Sequence, residues 1–179
     1  MVDCELPPSA VIPVSLQIDN SPARITLRPP TREDASDMWR LASQAVDTNS
    51  SYSFLMLVEY LADTCAVAVD DRGTTAGFVT GFRLPNDPET LFVWQVAVAD
   101  THRGIGLGTQ LLRAVAERPA IPRLRFLEAT VTPDNEASAS LFRKFARDRD
   151  TECREEDLFE TEDFPGEHDA EVRFRVGPF

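Results

Sequence analysis

Apolar and polar positions alternate along the chain in segments that predict a mixed α/β fold. Period-two runs of β-branched and aromatic residues predict strands at 25–28, 64–69, 75–84, 90–99, 124–131 and 171–176. Apolar residues at helical spacing predict helices at 32–45, 53–62 and 107–118, and a further helix after Asp134. The strand, helix and strand between 90 and 131 form a parallel crossover unit. The expected fold is therefore a mixed β-sheet flanked by helices.

Caps, glycines and local composition refine these predicted elements. Thr31 and Asp134 are the predicted N-caps of the first and last helices. Glycines at 77 and 81 inside one strand indicate a bulge or the close approach of another segment. Four prolines interrupt residues 1–23, which we expect to be a flexible tail before a single domain at 24–179. Residues 147–167 are mostly acidic, and their composition predicts a solvated loop.

The balance of charge excludes some classes of function. The 179 residues carry 30 acidic and 18 basic side chains, a net charge of −12. A nucleic-acid-binding surface needs clustered Lys and Arg, so this composition argues against one. Solubility in a salty cytoplasm explains an acidic surface, and attraction of cationic substrates is the alternative.

Cysteine usage and the N-terminus bear on the cellular compartment. Three cysteines, at 4, 65 and 153, form neither a zinc pattern nor a disulfide framework. The N-terminus has no basic region followed by an uninterrupted apolar core, so it does not fit a signal peptide. No apolar run is long enough for a membrane span. We therefore expect a reduced, cytoplasmic protein that binds no membrane.

The stretch FVWQVAVADTHRGIGLG at 92–108 predicts a buried strand, a polar turn and a glycine-rich start of a helix. The first turn of a helix has unpaired N–H groups and a partial positive charge, and glycines let a phosphate approach them. A pyrophosphate is the natural ligand of RGIGLG at 103–108, and a flexible glycine-rich turn is the alternative. A Rossmann dinucleotide motif is disfavoured, because the spacing is not GxGxxG and an antiparallel hairpin precedes the unit.

Two motifs in the second half of the chain resemble those of the GNAT acetyltransferase superfamily. Arg103, Gly106 and Gly108 match its RxxGxG acyl-CoA pyrophosphate loop. NEASASLFRK at 135–144 is similar to its NxxAxxLYxK segment, and the order of elements also matches. The resemblance implies a GNAT fold, in which the fourth and fifth strands of the sheet splay apart.

The GNAT resemblance also implies a set of cofactor contacts. Acetyl-CoA, as co-substrate and without a metal, would be bound by Val96, Val98, Arg103, Gly104, Ile105, Gly106, Leu107, Gly108, Asn135 and Phe142. The backbone of the two valines would pair with the pantetheine arm, and the main chain near Val96 would polarise the thioester carbonyl. Phe142 stands where the family often has Tyr, and it cannot donate a proton to the departing thiolate. The acid must come from elsewhere, or the thiolate leaves without one.

Longer segments resemble a narrower family. VDTNSSYSFL at 46–55, LFVWQVAV at 91–98, LEATVTPDNEAS at 127–138 and HDAEVRFRVGP at 168–178 are similar to L-2,4-diaminobutyrate acetyltransferases of ectoine biosynthesis. The resemblance covers most of residues 25–179 and implies acetylation of the γ-amine of diaminobutyrate. It also implies a homodimer, and the acidic surface fits an osmoprotectant-producing enzyme in salt-stressed cells.

The loop after the first helix and the central tryptophan are candidate substrate contacts. A small diamino acid needs carboxylates for its ammonium groups, and Asp47 is either such a ligand or an Asx-turn cap. Asn49 and Tyr52 would orient the substrate, although Tyr52 also fits a packed aromatic. Trp94 is either a core residue or a cover over the carbon chain of the substrate, with a cation–π contact.

His168 and Glu171 are the candidate proton acceptors. An amine of pKa near 10.4 is neutral to only about one part in 10³ at pH 7, so a base is needed. The HxxE spacing resembles a pair beside the substrate in the diaminobutyrate enzymes. Residues three apart on a strand face opposite sides, so both reach the cleft only if a turn at 165–166 precedes the strand. With no third ligand evident, the pair does not predict a metal site.

Two alternatives to the diaminobutyrate assignment stay open. One is a GNAT enzyme that acts on another small amine, such as lysine, ornithine or a polyamine. The other is an acyl-CoA-binding module without turnover, which only Phe142 suggests. If the protein is an acetyltransferase, the attack on the thioester is expected to be direct, because no cysteine lies in a recognised motif.

Overall fold

The alternating segments of the sequence fold into one mixed sheet with helices on both faces. The computed structural model describes residues 14–16, 24–45, 49–119, 121 and 123–179. In that part of the chain the strands are β1 (Val14–Leu16), β2 (Ile25–Arg28), β3 (Ala66–Asp70), β4 (Thr75–Leu84), β5 (Asp87–Val98), β6 (Phe126–Val131), β7 (Cys153–Phe159) and β8 (Glu171–Val176). The helices are α1 (Ala35–Ala45), α2 (Ser51–Tyr60), α3 (Leu107–Ala116) and α4 (Glu136–Asp148). The strand order is β1-β2-β3-β4-β5-β6-β8-β7.

Each face of the sheet carries an apolar core. On one face, α1 and α2 cover β3, β4 and the end of β5, and the rings of Phe54 and Phe78 meet edge to face at 5.7 Å. On the other face, α3 and α4 pack on the sheet through residues that include Leu111 and Phe145. The apolar faces predicted for α1 and α3 are buried, whereas α2 buries Phe54, Leu57 and Val58 and leaves Leu55, part of its predicted apolar face, exposed.

The parallel strands β5 and β6 pair over only three residues. Residues 90–92 lie beside residues 126–128. Beyond them, in the part of the chain that the structure describes, β5 pairs only with β4 and β6 pairs only with β8. The two strands therefore diverge toward their C-terminal ends and leave a gap in the sheet. They correspond to the fourth and fifth strands predicted from the sequence, which the family resemblance implied would splay apart.

A bulge interrupts the pairing of β4 with β5. Gln95 pairs with Thr80 and Val93 pairs with Gly81, so Trp94 is an extra residue on β5. A Cβ atom at Gly81 would lie 2.5 Å from a carbonyl oxygen of β5. The bulge and the close approach that the strand glycines predicted are therefore confirmed.

The bulge interrupts the alternation of β5 side chains between the α1/α2 face and the α3/α4 face of the sheet. Val93 and Val96 both pack against the α3/α4 core, although they lie three residues apart. A regular strand would place them on opposite faces, so the two residues between them, Trp94 and Gln95, both lie on the α1/α2 face. The extra residue thus turns the indole of Trp94 toward the side of the gap that α1 and α2 flank.

Two segments differ from the expectation drawn from the sequence. Residues 153–159, predicted to be part of a solvated loop, form the edge strand β7. Its charges are tolerated because an edge strand is solvated, and Glu155 and Glu156 pair with Arg143 and Arg173. Inside the predicted tail, β1 pairs with β2. The other residues of 1–23 lie outside the described residues, and the domain boundary at 24 stays a prediction.

The first and last helices begin differently from the predicted caps. Thr31 is not the cap of α1, because a turn at 32–34 separates it from the helix, which begins at Ala35. Its N–H and its hydroxyl donate to the Asp34 carboxylate at 2.6 and 3.0 Å. α4 is capped by Asn135, whose side chain accepts a hydrogen bond from a first-turn N–H at 3.1 Å. Asp134, the predicted cap, instead accepts a bond from the hydroxyl of a preceding threonine.

Candidate active site

The gap between the diverging strands β5 and β6 is the candidate active site. Its closed end lies where the two strands part, at Phe92 and Glu128. A short turn after β5 leads into α3, so the N-terminus of that helix lies beside the opening. The C-terminal ends of parallel strands are the usual ligand sites of α/β sheets.

Backbone groups of β5 are exposed along this gap. The N–H of Ala99 donates to the carbonyl of Ala76 in β4 at 2.9 Å. Because backbone groups alternate in direction along a strand, those of Val98 and Val96 point away from β4 and into the gap. The two valines can therefore pair with an extended ligand, as predicted for the pantetheine arm.

The loop at 103–108 presents its main chain to the opening. Gly104 and Gly106 have φ angles of +77° and +79°, which would cost another residue about 1–2 kcal/mol. A Cβ atom at either position would meet nothing within 4 Å, so backbone conformation requires glycine there and crowding does not. At Gly106, the N-cap of α3, no side chain caps the helix. The N–H groups of its first turn therefore lack intrahelical partners and favour an anion.

The remaining side chains of this loop serve packing. Leu107 is buried and Ile105 is half-buried, both against the α3/α4 core. A Cβ atom at Gly108 would lie 3.3 Å from the side chain of Leu141, so the packing of α3 on α4 limits the size of this residue. These predicted cofactor residues have only backbone atoms to offer a ligand.

Arg103 is held beside the gap by its own neighbours. Its guanidinium forms an ion pair with Asp100 at 3.0 Å, and its Nε donates to the Val98 carbonyl at 3.4 Å. Both bonds lie on the surface, where an ion pair contributes little to stability. To contact a ligand in the gap, the guanidinium would have to break its bonds to Asp100 and to the Val98 carbonyl.

The two α4 residues predicted to contact the cofactor have other partners. Asn135 is the N-cap of α4. Phe142 is 3% exposed, and its ring lies 6.1 Å from that of Phe174 in the α3/α4 core. A buried ring without a polar atom supplies no proton to a thiolate. Contact of either residue with a bound cofactor stays a prediction.

Trp94 lies on the α1/α2 face of the gap and is 44% exposed. A tryptophan that served the core would be nearly covered by its neighbours. The core interpretation is therefore excluded, and the indole is available to a ligand that enters from this face.

Asn49 and Tyr52 flank the start of α2 on the same face of the sheet. The indole N–H of Trp39 donates to the Asn49 carbonyl at 3.1 Å, and Ser50 caps the helix. Tyr52 is 66% exposed, which excludes the packed-aromatic interpretation. Asp47 lies outside the described residues, and its role stays a prediction.

His168 and Glu171 meet at the rim of the gap. Nε2 of His168 lies 3.7 Å from Oε1 of Glu171. Residues 164–170 are irregular and β8 begins at Glu171, so the chain makes the turn that this spacing requires. The next residue, Val172, pairs with Val131 at the end of β6, which places the carboxylate at the open end of the gap.

One oxygen of Glu171 is buried without a hydrogen-bond partner. Among the described residues nothing donates to Oε2, and the side chain is only 16% exposed. Phe174 packs in the α3/α4 core, so Glu171, three residues earlier on the strand, points to the face that carries Trp94. An unsatisfied buried polar atom costs about 1–3 kcal/mol, and more when it is charged. It therefore marks a place for a donor such as an ammonium group.

The two ring nitrogens of His168 have different environments. Nδ1 lies 2.6 Å from the carbonyl oxygen of Asp169. A carbonyl only accepts hydrogen bonds, so Nδ1 carries a proton and donates it. In the neutral ring, Nε2 is then the unprotonated nitrogen, and it is the one that faces Glu171.

Sequence reasoning missed a cluster of charges at the closed end of the gap. Arg175 donates to Glu128 at 2.7 Å and to Asp87 at 2.9 Å, which ties β8 to β6 and to the start of β5. Hydrogen bonds from Thr90 and Arg175 lower the pKa of Asp87 below its ordinary value. The sequence feature that could have revealed this cluster is the carboxylate at 128, which lies inside a mainly apolar strand.

Cysteine and metal chemistry have no support in the described residues. Burial raises the pKa of the Cys65 thiol to about 11, and burial also raises the pKa of Cys153. Neither thiol is therefore an activated nucleophile. In the same part of the chain, no three His, Cys, Asp or Glu side chains are grouped to hold a metal ion.

None of the helices described is long and apolar enough to cross a membrane.

The fold and the glycine loop define an acetyltransferase. The model of the acetyltransferase (GNAT) family matches residues 30–146, and the chain belongs to that family. Solved structures of low identity agree on the fold, among them Ard1 from Thermoplasma volcanium, which is 15% identical with a TM-score of 0.70 over 87% of this chain and 98% of that one. The fold class inferred from the sequence is therefore confirmed.

Curated relatives narrow the class. L-2,4-diaminobutyric acid acetyltransferase of Shouchella clausii is 48% identical over 86% of this chain and 87% of the relative. The protein of that name from Halomonas elongata is 40% identical over 86% of this chain and 81% of its own length. Diaminobutyrate acetyltransferase EctA from Paenibacillus lautus, solved with L-2,4-diaminobutyric acid and coenzyme A, is 36% identical with a TM-score of 0.82, over 87% of this chain and 96% of that one. The narrower resemblance is thus confirmed.

Proposed function

We propose that this protein transfers the acetyl group of acetyl-CoA to the γ-amine of L-2,4-diaminobutyrate, as a step of ectoine biosynthesis. The observation that carries the proposal is the unpartnered Oε2 of Glu171 at the rim of the gap. The β5 side of the gap offers backbone groups to an extended anionic cofactor. The rim offers a buried carboxylate to an ammonium, and relatives named for this activity support the same pair of ligands.

The substrate is placed by side chains on the α1/α2 face. The γ-amine lies at Glu171, and the indole of Trp94 covers the short carbon chain. Asn49 and Tyr52 orient the amino acid from the start of α2, and Asp47 binds the second ammonium. The exposure of Trp94 and Tyr52 on one face supports this arrangement.

Glu171 accepts a proton so that the amine can attack. Keeping the amine neutral at pH 7 costs roughly 4–5 kcal/mol for a pKa near 10.4, so a base at hydrogen-bond distance must accept its proton. The amine nitrogen then bonds to the thioester carbon, and the carbonyl oxygen becomes an oxyanion stabilised by main-chain N–H groups near Val96. The C–S bond breaks, CoA leaves as a thiolate, and the excess proton of the new amide nitrogen passes to that thiolate. A thiol has a pKa of about 8.5, so this leaving group needs no side-chain acid, in agreement with the phenylalanine at 142.

We further propose a cytoplasmic homodimer. The outer surface of α2 carries large apolar side chains that the single chain leaves uncovered, at Leu55, Met56 and Tyr60. The charge beside them, Glu59, is paired with Arg32. An apolar helix face without an unpaired charge suits packing against a second copy. Sedimentation equilibrium of the protein and of Leu55→Glu tests the dimer: the wild type is expected at twice the chain mass, and the variant at the chain mass.

One reaction tests the activity. The protein is mixed with acetyl-CoA and L-2,4-diaminobutyrate, thiol release is followed, and the product is identified by NMR. The expected product carries one acetyl group, on the γ-nitrogen. An α-acetyl product, or no acetylated product, would contradict the proposal.

A panel of amines separates the remaining alternatives. Lysine, ornithine and a polyamine are compared with diaminobutyrate at equal concentration, and diaminobutyrate is expected to have the highest kcat/KM. A higher value for any of the others would assign the protein to that amine. An acyl-CoA-binding module predicts cofactor binding with no thiol release on addition of any amine.

A further inference from the structure

The segment that joins β7 to β8, residues 160–170, places an aromatic ring on His168. The ring of Phe164 stacks on the imidazole with a centroid distance of 4.0 Å and an interplanar angle of 19°. Face-to-face contact at this distance fixes the plane of the smaller ring and leaves its edge free. The edge that remains free here carries Nε2, which faces Glu171.

Phe164 is itself held in place by the segment. Its ring meets that of Phe159, at the end of β7, edge to face at 6.1 Å. A reciprocal pair of hydrogen bonds between Glu160 and Asp163 closes the turn that precedes it. The aromatic ring is therefore a fixed support, and it does not depend on His168 for its position.

Among the described residues, two contacts hold the imidazole so that its edge faces Glu171. The Nδ1–H bond to Asp169 fixes one point of the ring. Rotation about that point would swing Nε2 away from Glu171, and the stacked face of Phe164 opposes the rotation. Without the ring, the 3.7 Å separation of Nε2 from Oε1 would no longer be maintained.

We propose that Phe164 is a positioning residue for proton transfer from Glu171 to His168. This rests on the proposed function, in which Glu171 takes the proton of the amine. The Glu171 carboxyl then passes that proton to Nε2 of the neutral imidazole through one bridging water, because 3.7 Å is longer than a hydrogen bond. Nδ1 keeps its own proton and donates it to the Asp169 carbonyl. The imidazolium releases the Nε2 proton to water, since the His168 side chain is 33% exposed. Glu171 is thus returned to its charged form for the next turnover.

The first test measures the stack directly. The chain has two histidines, so the imidazole region of a proton NMR spectrum contains His168 and one internal reference, His102. In Phe164→Leu, the ring protons of His168 are expected to lose their ring-current shift and move downfield, while those of His102 stay in place. Phe164→Tyr keeps the ring and is expected to keep the shift. Unmoved His168 signals in Phe164→Leu would overturn the proposal.

The second test asks whether the ring acts through His168. Phe164→Leu is expected to lower kcat about 10-fold, as a small displacement of a catalytic group does, with KM for acetyl-CoA changed less than twofold. Phe164→Tyr is expected to restore kcat. In a His168→Gln background the same leucine substitution is expected to have no further effect on kcat, because the two changes remove one interaction. An equal loss in both backgrounds would mean that the ring supports only the fold.

Two controls keep the outcomes distinct. Phe179→Leu removes another partly exposed ring that contacts an aromatic neighbour, Phe145, away from the gap, and it is expected to leave kcat unchanged. Phe164→Met replaces the leucine variant if that one does not fold.

A wild-type protein that acetylates no amine contradicts the proposed function before any variant is made. Unchanged kcat in Phe164→Leu of an active enzyme overturns the positioning role alone.

Discussion

The two sides of the gap offer a ligand different kinds of chemical group. The β5 side, formed by Val96, Val98 and residues 103–108, offers main-chain groups, and its side chains are packed in the α3/α4 core or tied to neighbours. The rim, formed by residues 164–171, offers a carboxylate and an imidazole. One side is determined by backbone conformation and the other by the identity of side chains.

This difference assigns separate tasks to the two sides. A backbone site recognises what all acyl-CoA molecules share, a pyrophosphate and an extended amide arm, and it tolerates many side chains as long as φ is positive at Gly104 and Gly106. A side-chain site distinguishes one amine from another and loses its function when a single group changes. Substitutions on the two sides should therefore change different kinetic constants.

Glu171→Gln should have the largest effect. The amide keeps the size of the side chain and removes the proton acceptor, so kcat for diaminobutyrate should fall about 10²-fold or more, with KM for acetyl-CoA unchanged within about twofold. Steady-state kinetics with each substrate varied in turn measures both constants. Glu167→Gln, an exposed residue of the same segment, is the control and should match the wild type. A variant with unchanged kcat would mean that Glu171 is not the base.

A partly buried ion pair, Arg28 with Asp34, anchors the helix layer on the α1/α2 face of the sheet. Asp34 bonds Arg28 at 2.7 Å through both oxygens and also accepts from Thr31, which holds the start of α1 on β2. Burial opposes its charge, but hydrogen bonds from Arg28 and Thr31 outweigh it, so the pKa of Asp34 is lowered. Its stabilisation is thus present above the unfolded pKa, about 3.9, and is lost as the pH falls through the lower folded value.

Asp34→Asn should therefore lower the free energy of unfolding by about 2 kcal/mol at pH 7. The difference from the wild type should begin to shrink below about pH 4, where Asp34 is protonated in the unfolded chain, and should shrink further as the pH falls through the lower pKa of the folded state. Urea unfolding at a series of pH values measures this difference. Asp37→Asn removes an exposed pair with Arg40 and should change stability by less than about 0.5 kcal/mol. A loss for Asp34→Asn that stays constant down to pH 3 would show that its charge is not involved.

The strand, turn and helix of the β5 side could be predicted from the sequence because their determinants are local. Strand, turn, glycines and helix follow one another between 92 and 116, and a left-handed φ at Gly104 and Gly106 is a property of single residues. The bulge was also signalled locally, by glycine in β4 at the position that faces it. For such elements, the residues that determine the local backbone conformation are the same residues that form the sequence pattern.

The rim could not be derived in the same way because its contacts are made between segments. The acidic composition that predicted a loop also suits an edge strand, and only pairing with β8 decides between them. The stack of Phe164 on His168 depends on the turn at 160–163, which has no hydrophobic period. Likewise, the cluster of Arg175, Glu128 and Asp87 joins three strands that are far apart in sequence. The pairing of His168 with Glu171 was expected only from a family resemblance.

Gly106→Ala tests the backbone side with a matched control. The left-handed φ would cost alanine about 1–2 kcal/mol, and relaxation would move the N–H groups at the start of α3. KM for acetyl-CoA should rise about 10-fold, which corresponds to about 1.4 kcal/mol, with little change in KM for diaminobutyrate. Gly73 has a φ of +81° and equally open surroundings in the turn between β3 and β4. Gly73→Ala should show the same loss of stability with no change in either KM, and a KM effect in both variants would contradict a local cofactor site.

Arg103→Gln should have the smallest effect, because the proposed anion site consists of main-chain groups of the β5 side and the guanidinium is already bonded to Asp100 and the Val98 carbonyl. KM for acetyl-CoA should rise less than about threefold, as expected for the loss of an exposed charge contact. The wild type and the variant should also show similar dependence of KM on salt, since an added charge-to-phosphate contact would steepen that dependence. The measurement is KM for acetyl-CoA at low and at high sodium chloride. A rise above 10-fold that disappears at high salt would place the guanidinium on the pyrophosphate, and the β5 side would then recognise its ligand through a side chain as the rim does.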